Sequence, residues 1–344
     1  MSTNKHELVI SVPSNGFLEI EYMLRVYLSE FLGISYDINQ ENTDSDTVLS
    51  IGDSSLTIRN AFWRQATPEY RLTDIPTKVD KSTLTIGKKD YPCICLYGKN
   101  VLTTEEKSWT LENDILANGF FMLSRWEEHV NKKRDLHNRF PATAALAVKQ
   151  GFLNRPIVNE YTEILWAVLK EMGIQQSRKE RSFEMVPTHD VDMPYYFKNT
   201  AHYLKKTVWQ LSKLNFKQAK ADTTIFLTGE GPYDYHDKQM DDAEKIGTKA
   251  HFFFMTGEKS KFDPGFNIES KKTRELLAKI KGRGHHIGLH PSYDTYKNPE
   301  LFTEEKHRLE KVIGSKVTTG RQHYLRFAIP ETWRIWEDND MEWD

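Results

Sequence analysis

The sequence predicts an α/β protein in two parts: a smaller α+β unit over residues 1–177 and a parallel α/β unit over residues 183–344. Three observations lead there. The chain has 344 residues, more than the ~250 to 300 at which a single core stops growing. A polar run, QQSRKERS from Gln175 to Ser182, differs in composition from both flanks and reads as a joint. Beyond it, short apolar segments alternate with helical stretches, the signature of strands linked by crossover helices.

In the first part, residues 7–11 alternate as a strand. Phe17 to Leu32 carries apolar residues at helical spacing between Pro13-Ser14-Asn15 and Gly33, cap signals at both ends. Short strands are expected at Val48 to Ile51, Leu56 to Arg59, Leu84 to Ile86 and Pro92 to Tyr97, followed by helices over Asp114 to His129 and Pro156 to Met172. No catalytic constellation stands out there. In the second part, strands are expected at Phe183 to Pro187, Ala250 to Met255, His285 to Leu289 and Thr319 to Phe327. Helices are expected at Tyr203 to Ala219, Met240 to Ile246, Lys271 to Ile280 and Thr303 to Ile313. Ligand sites of such folds gather at the carboxyl ends of the strands.

Composition narrows the function classes. Lys and Arg number 47 against 49 Asp and Glu, a net charge of −2, so no global field drives the chain toward nucleic acid, and no nucleic-acid partner is expected. No apolar run approaches the ~20 residues of a membrane span, so no integral membrane segment is expected. The amino terminus lacks the apolar core of a secretory leader, which places the expectation in the cytoplasm. Cys93 and Cys95, the two cysteines, offer neither a disulfide framework nor zinc-site spacing. The lysine-rich stretch from His202 to Lys220 reads as a solvated helix face in preference to a patch for an anionic glycan or membrane surface.

Three motifs carry chemistry. In THDVD, Asp190 and Asp192 project to the same side if the strand persists, so one site could hold both acids. The same spacing recurs at Asp44/Asp46 and Asp338/Asp340, so it is not specific by itself. In GRGHHIGLHPSYD, Gly284, Gly288 and Pro291 argue for a strand running into a loop, with His286 and His290 on one face as metal ligands. In GRQHYLR, Arg321 could orient a carboxylate and keep it ionised. His323 has no role in this reading.

The order THDVD, AHFFFMTG, HHIGLHPSYD, GRQHYLR resembles the polysaccharide deacetylase family, carbohydrate esterase family 4, over residues 183–344. The resemblance implies a distorted, incomplete (β/α) barrel and a metal-dependent hydrolase that removes acetyl groups from N-acetylated sugars of a cell-surface polysaccharide. It implies Asp190 as catalytic base, Asp192, His286 and His290 as metal ligands, Arg321 as the residue positioning the base, and Tyr324 as the backbone donor to the oxyanion. The implied metal is Zn2+, with Co2+, Ni2+ or Mn2+ as alternatives, and the implied partner is an acetylated sugar or polysaccharide. The family's first motif has adjacent acids, whereas Val191 intervenes here, as in a variant branch. Its domains continue into a fourth motif, of which Asp344 is expected to be the first residue, so the barrel is expected to lack its closing strands. A silent glycan-binding or assembly subunit and a hydrolase of small linear amides are the alternative functions.

Overall fold

Leu8, Ile10 and Val12 alternate with half-buried residues along β1 (Leu8–Pro13) and put one apolar side into the first core. The computed structural model describes residues 7–42, 45–65, 71–229, 231–233, 235–257, 260–263 and 265–343. It divides into one unit of residues 1–135 and 140–182 and a second of residues 136–139 and 183–344.

In the first unit, α1 (Phe17–Leu24) continues through wide π turns from Arg25 to Leu32 and stops at Gly33, whose φ of 71° is costly for other residues. A six-stranded sheet runs β2-β1-β3-β4-β8-β7, from β2 (Tyr36–Glu41), β3 (Thr47–Ile51), β4 (Ser54–Ile58), β7 (Gly98–Glu105) and β8 (Ser108–Asn113). β5 (Thr83–Ile86) and β6 (Lys89–Pro92) form a separate hairpin. The apolar run expected as a strand from Pro92 to Tyr97 is instead mostly irregular and buried, bridged only at Cys95 to Asp80. The expected helix from Asp114 to His129 is broken: α2 (Ile115–Leu123) ends before Arg125, at φ 52°, and α3 (Trp126–Val130) begins after it. Asp114 accepts the Ala117 N–H as the α2 cap and the Ala61 and Phe62 N–H groups as well. α4 (Leu146–Lys149) and α5 (Ile157–Glu171) complete the unit, with Ile164, Leu165 and Val168 of α5 fully buried.

In the second unit, three parallel strands, β9 (Thr188–Val191), β10 (His251–Met255) and β11 (His286–His290), lie in the order β11-β10-β9. The strand expected at Phe183 to Pro187 does not form: Phe183 and Met185 are exposed, and pairing starts where His251 N–H donates to the Pro187 carbonyl. The helices are α6 (Thr200–Ser212), α7 (Phe216–Thr228), α8 (His236–Lys245), α9 (Lys271–Gly282), α10 (Pro299–Ile313) and α11 (Glu331–Asp338). The single helix expected from Tyr203 to Ala219 is split at Leu214, and α11 was not anticipated. Val191, Phe252, Phe254 and Leu289 pack one sheet face against Met240 of α8, Leu277 and Ile280 of α9, and Phe302 and Leu309 of α10. Each such large side chain contributes ~1.5–3 kcal/mol by leaving water.

Thr319 to Phe327, expected as a strand, contributes two bridged residues. Leu289 N–H donates to Thr319 O at 2.9 Å and Arg321 N–H to Leu289 O at 2.9 Å, and a 3-10 turn, His323–Leu325, follows. Two glycines permit this approach. A Cβ on Gly288 would lie 2.5 Å from Thr319 O, and one on Gly320 would lie 2.4 Å from Leu289 O. Among the described residues no closed barrel forms. No helix among them is long and apolar enough to cross a membrane. Asp44 and Asp344 lie outside the described residues.

Candidate metal centre

Register across the three strands sorts the chemically active side chains. Thr188, His251 and His286 are level with one another, Asp190 is level with Phe253 and Gly288, and His290 is level with Met255 at the carboxyl edge. Val191 pairs with Phe254, so Asp192, one residue on, reaches the His290 level. Asp192 Oδ1 lies 3.1 Å from His290 Nε2 and 3.6 Å from His323 Nδ1, and the two imidazole nitrogens are 2.9 Å apart. Among the described residues, these three form the one convergent group of His, Cys, Asp or Glu ligand atoms.

His286 is not in it, which corrects the ligand set expected from the sequence. Residues 286 and 290 share a strand face, yet four steps of ~3.3 Å separate them by ~13 Å, several times the span of one ion's coordination shell. The His286 ring instead stacks on His251 at 4.3 Å, at the opposite end of the sheet. The third position is taken by His323, from the 3-10 turn. Its signal was present as a histidine inside a motif already singled out, but only the turn after Gly320 reveals its direction.

Hydrogen bonds fix the ring tautomers. His290 Nδ1 faces the Arg321 carbonyl at 2.5 Å and His323 Nε2 faces the Phe262 carbonyl at 3.2 Å. A carbonyl only accepts, so each of these nitrogens carries its proton, and in the neutral rings Nε2 of His290 and Nδ1 of His323 present lone pairs. Two lone pairs and a carboxylate oxygen therefore converge. Asp192 Oδ1 is buried without a hydrogen-bond partner, although His290 Nε2 lies 3.1 Å away. Burial, then His290 beside it, holds the His323 ring below the usual imidazole range. Burial pushes the Asp192 carboxyl up, and positive charge on the neighbouring His290 and His323 rings pulls it below the usual carboxylate range. A positive charge at the centre relieves this arrangement, and two imidazoles with one carboxylate are a donor set suited to Zn2+.

Asp190 points from the same strand face. Arg321 donates from Nη1 to Asp190 Oδ1 at 3.0 Å and from Nη2 to Thr188 Oγ1 at 2.9 Å, and its guanidinium lies 5.1 Å over the Phe253 ring. Arg321 thus holds Asp190 with its side chain and His290 with its carbonyl. Asp190 and Asp192 line a cavity of about 470 Å³ with His189, Tyr233, Tyr235 and His236, a size suited to a small ligand. Tyr324 follows His323 in the left-handed region at φ 57°, and its ring lies 4.7 Å from the His323 ring. His137, from the short segment that belongs to this unit, packs 5.0 Å from Tyr324 and bonds the Tyr293 hydroxyl at 3.0 Å.

Residues 8–174, slightly less than half of the chain, match the model of a family of unknown function, DUF7033. The crystal structure of a mutant of a CE4 family pseudoenzyme with restored enzymatic activity is similar at 17% identity, over 32% of this chain and 39% of that chain, with a TM-score of 0.26. The matched part is thus well under half of that relative's length. No curated protein matches the sequence.

Proposed function

We propose that the second unit is a metal-dependent hydrolase that removes acetyl groups from N-acetylated sugars of a cell-surface polysaccharide or its precursor, its three strands forming part of an incomplete distorted (β/α) barrel. One observation supports this reading above the others: three convergent lone pairs on Asp192, His290 and His323 stand beside a separate carboxylate, Asp190, clasped by Arg321. Two acids of one strand thereby take different tasks. Asp192 is a ligand, and Asp190 is free to accept a proton.

In this reading Asp192, His290 and His323 hold a divalent cation, most simply Zn2+, which supplies Lewis acidity toward a water and an acyl oxygen. The Arg321 guanidinium aims Asp190, which takes the proton of the attacking water. The Tyr324 N–H is the donor assigned to the developing oxyanion. The cavity beside Asp190 receives the sugar that carries the acetyl group, with Tyr233 and Tyr235 available for stacking.

Acetate release from a panel of N-acetylated hexosamines and their oligomers tests the proposal. Native protein loaded with Zn2+ is expected to release acetate, whereas Asp190→Asn is expected to bind metal normally and lose at least 100-fold in turnover. Asp190→Asn working at the parental rate would remove the base from the mechanism. Native protein that binds these sugars without releasing acetate would favour a silent glycan-binding subunit.

A further inference from the structure

The α6–α7 hairpin carries a surface that the catalytic reading does not use. Its two helices are held to one another on their inner faces. The Tyr203 ring stacks on Phe226 at 4.0 Å, the Tyr203 hydroxyl bonds Thr223 Oγ1 at 3.1 Å, and Gln210 and Ala219 are buried. The apolar residues around the tip are not needed for that packing. Val208, Trp209, Leu214 and Phe216 are 63%, 57%, 75% and 64% exposed, with Leu211 between them also exposed.

Leu214 breaks two local rules at once. It occupies the turn at φ 56°, where glycine or asparagine is the low-cost choice, and it presents an isobutyl group to solvent. A solvated turn has no use for either departure, and departures of this kind gather at functional positions. Charge supplies the second, independent observation. From Lys198 to Ala221 the sequence has six lysines and no aspartate or glutamate, within a chain whose net charge is −2. Among the described residues, Lys205, Lys213, Lys217 and Lys220 make no ion pair. The next acid, Asp222, is buried and bonded to Gln218 and Tyr196.

We infer that the tip of this hairpin, Val208 to Lys217, docks peripherally on an anionic lipid bilayer. Shape and charge choose this occupant. The apolar groups sit on a convex turn, which suits a penetrable surface, whereas a protein partner would have to provide a matching cleft. Trp209, Leu214 and Phe216, interleaved in the sequence with Lys213 and Lys217, have the composition of an interfacial anchor, with apolar rings at the acyl boundary and ammonium groups among anionic headgroups. A solvated face on one continuous helix, expected for His202 to Lys220 from the sequence, does not describe this stretch. The chain instead turns at Leu214, with exposed Lys213 and Lys217 flanking the exposed Leu214 and Phe216 along the sequence.

Co-sedimentation of the full chain with vesicles of 70% phosphatidylcholine and 30% phosphatidylglycerol tests this, beside pure phosphatidylcholine. Expected are binding at least tenfold stronger to the anionic vesicles, weakening in 0.5 M NaCl, and a loss of tenfold or more in both Leu214→Ser/Phe216→Ser and Lys213→Glu/Lys217→Glu. Far-UV circular dichroism and size exclusion of each variant must match the parent. Absence of vesicle binding by the parent overturns the inference. Loss only in the lysine variant overturns it in favour of a soluble polyanion, and a parental dimer that becomes monomeric in the apolar variant overturns it in favour of a second copy.

Discussion

On the proposed assignment, replacing His323 by alanine should cost the second unit its cation, and the geometry sets the scale. Four ligands ~2.0–2.1 Å from a tetrahedral Zn2+ lie about 3.3–3.4 Å from one another, and the three edges here are 2.9, 3.1 and 3.6 Å. Without His323 only the 3.1 Å Asp192–His290 edge remains. Even outer-shell partners change metal affinity 10- to 100-fold, so loss of one of the three proposed ligands should weaken binding at least 100-fold, or ~2.7 kcal/mol. At a Zn2+ concentration 100 times the native Kd, the native protein gains ~2.7 kcal/mol. The variant, with free metal then equal to its own Kd, gains only ~0.4 kcal/mol. For a unit of this size those figures correspond to Tm increases of about 5–10 °C and about 1 °C. His286→Ala, ~13 Å along the strand, should behave as the parent does. Calorimetric titration and thermal scans with and without Zn2+ measure both. A His323→Ala protein with native affinity, or a His286→Ala protein that loses 100-fold, would refute the assignment.

Glu305 on α10 makes stability depend on pH. Burial pushes its carboxyl up to about 7, against the opposing hydrogen bonds from Ser292. Between the unfolded value near 4.5 and about 7, the folded state keeps a proton that the unfolded chain has released. Stability therefore falls as pH rises through that window, by up to ~3 kcal/mol, and levels off above it. Urea midpoints at pH 5 and pH 8 should differ in the parent and converge in Glu305→Gln; an equal difference in both proteins would assign the slope to other groups. Gly288→Ala should destabilise by ~1–3 kcal/mol, because its Cβ meets the Thr319 carbonyl at 2.5 Å and the Phe253 ring at 2.6 Å, neither free to withdraw. A denaturant midpoint equal to the parent's would show that Thr319 does not approach β11 as closely as described.

Amphipathic periodicity and capping residues carried much of the secondary structure. Leu8, Ile10 and Val12 alternate, and Phe17 to Leu32 runs as one helical stretch up to Gly33. Elements with little burial left a weaker trace. β2, YDINQE, and β7, GKNVLTTE, are half-exposed or exposed along most of their length, so their pairing rests on backbone hydrogen bonds that side-chain pattern does not record. Breaks were hidden for the converse reason: helical spacing continues through Arg125 and Leu214, where the backbone turns left-handed.

The centre divides along the same line. Asp190, Asp192, His290 and Arg321 each stand in a short motif whose residue types carry chemistry, and those identities are properties of the primary sequence. Which of them meet is decided by strand register and by the turn after Gly320. Residues 192 and 290 arrive at one carboxyl edge because β9, β10 and β11 are parallel and aligned, and His323 joins them because two glycines let the chain cross close to β11. His286 and His290 looked like a pair on paper, but extended backbone carries them apart by ~3.3 Å with every residue, a length that one-dimensional spacing does not contain.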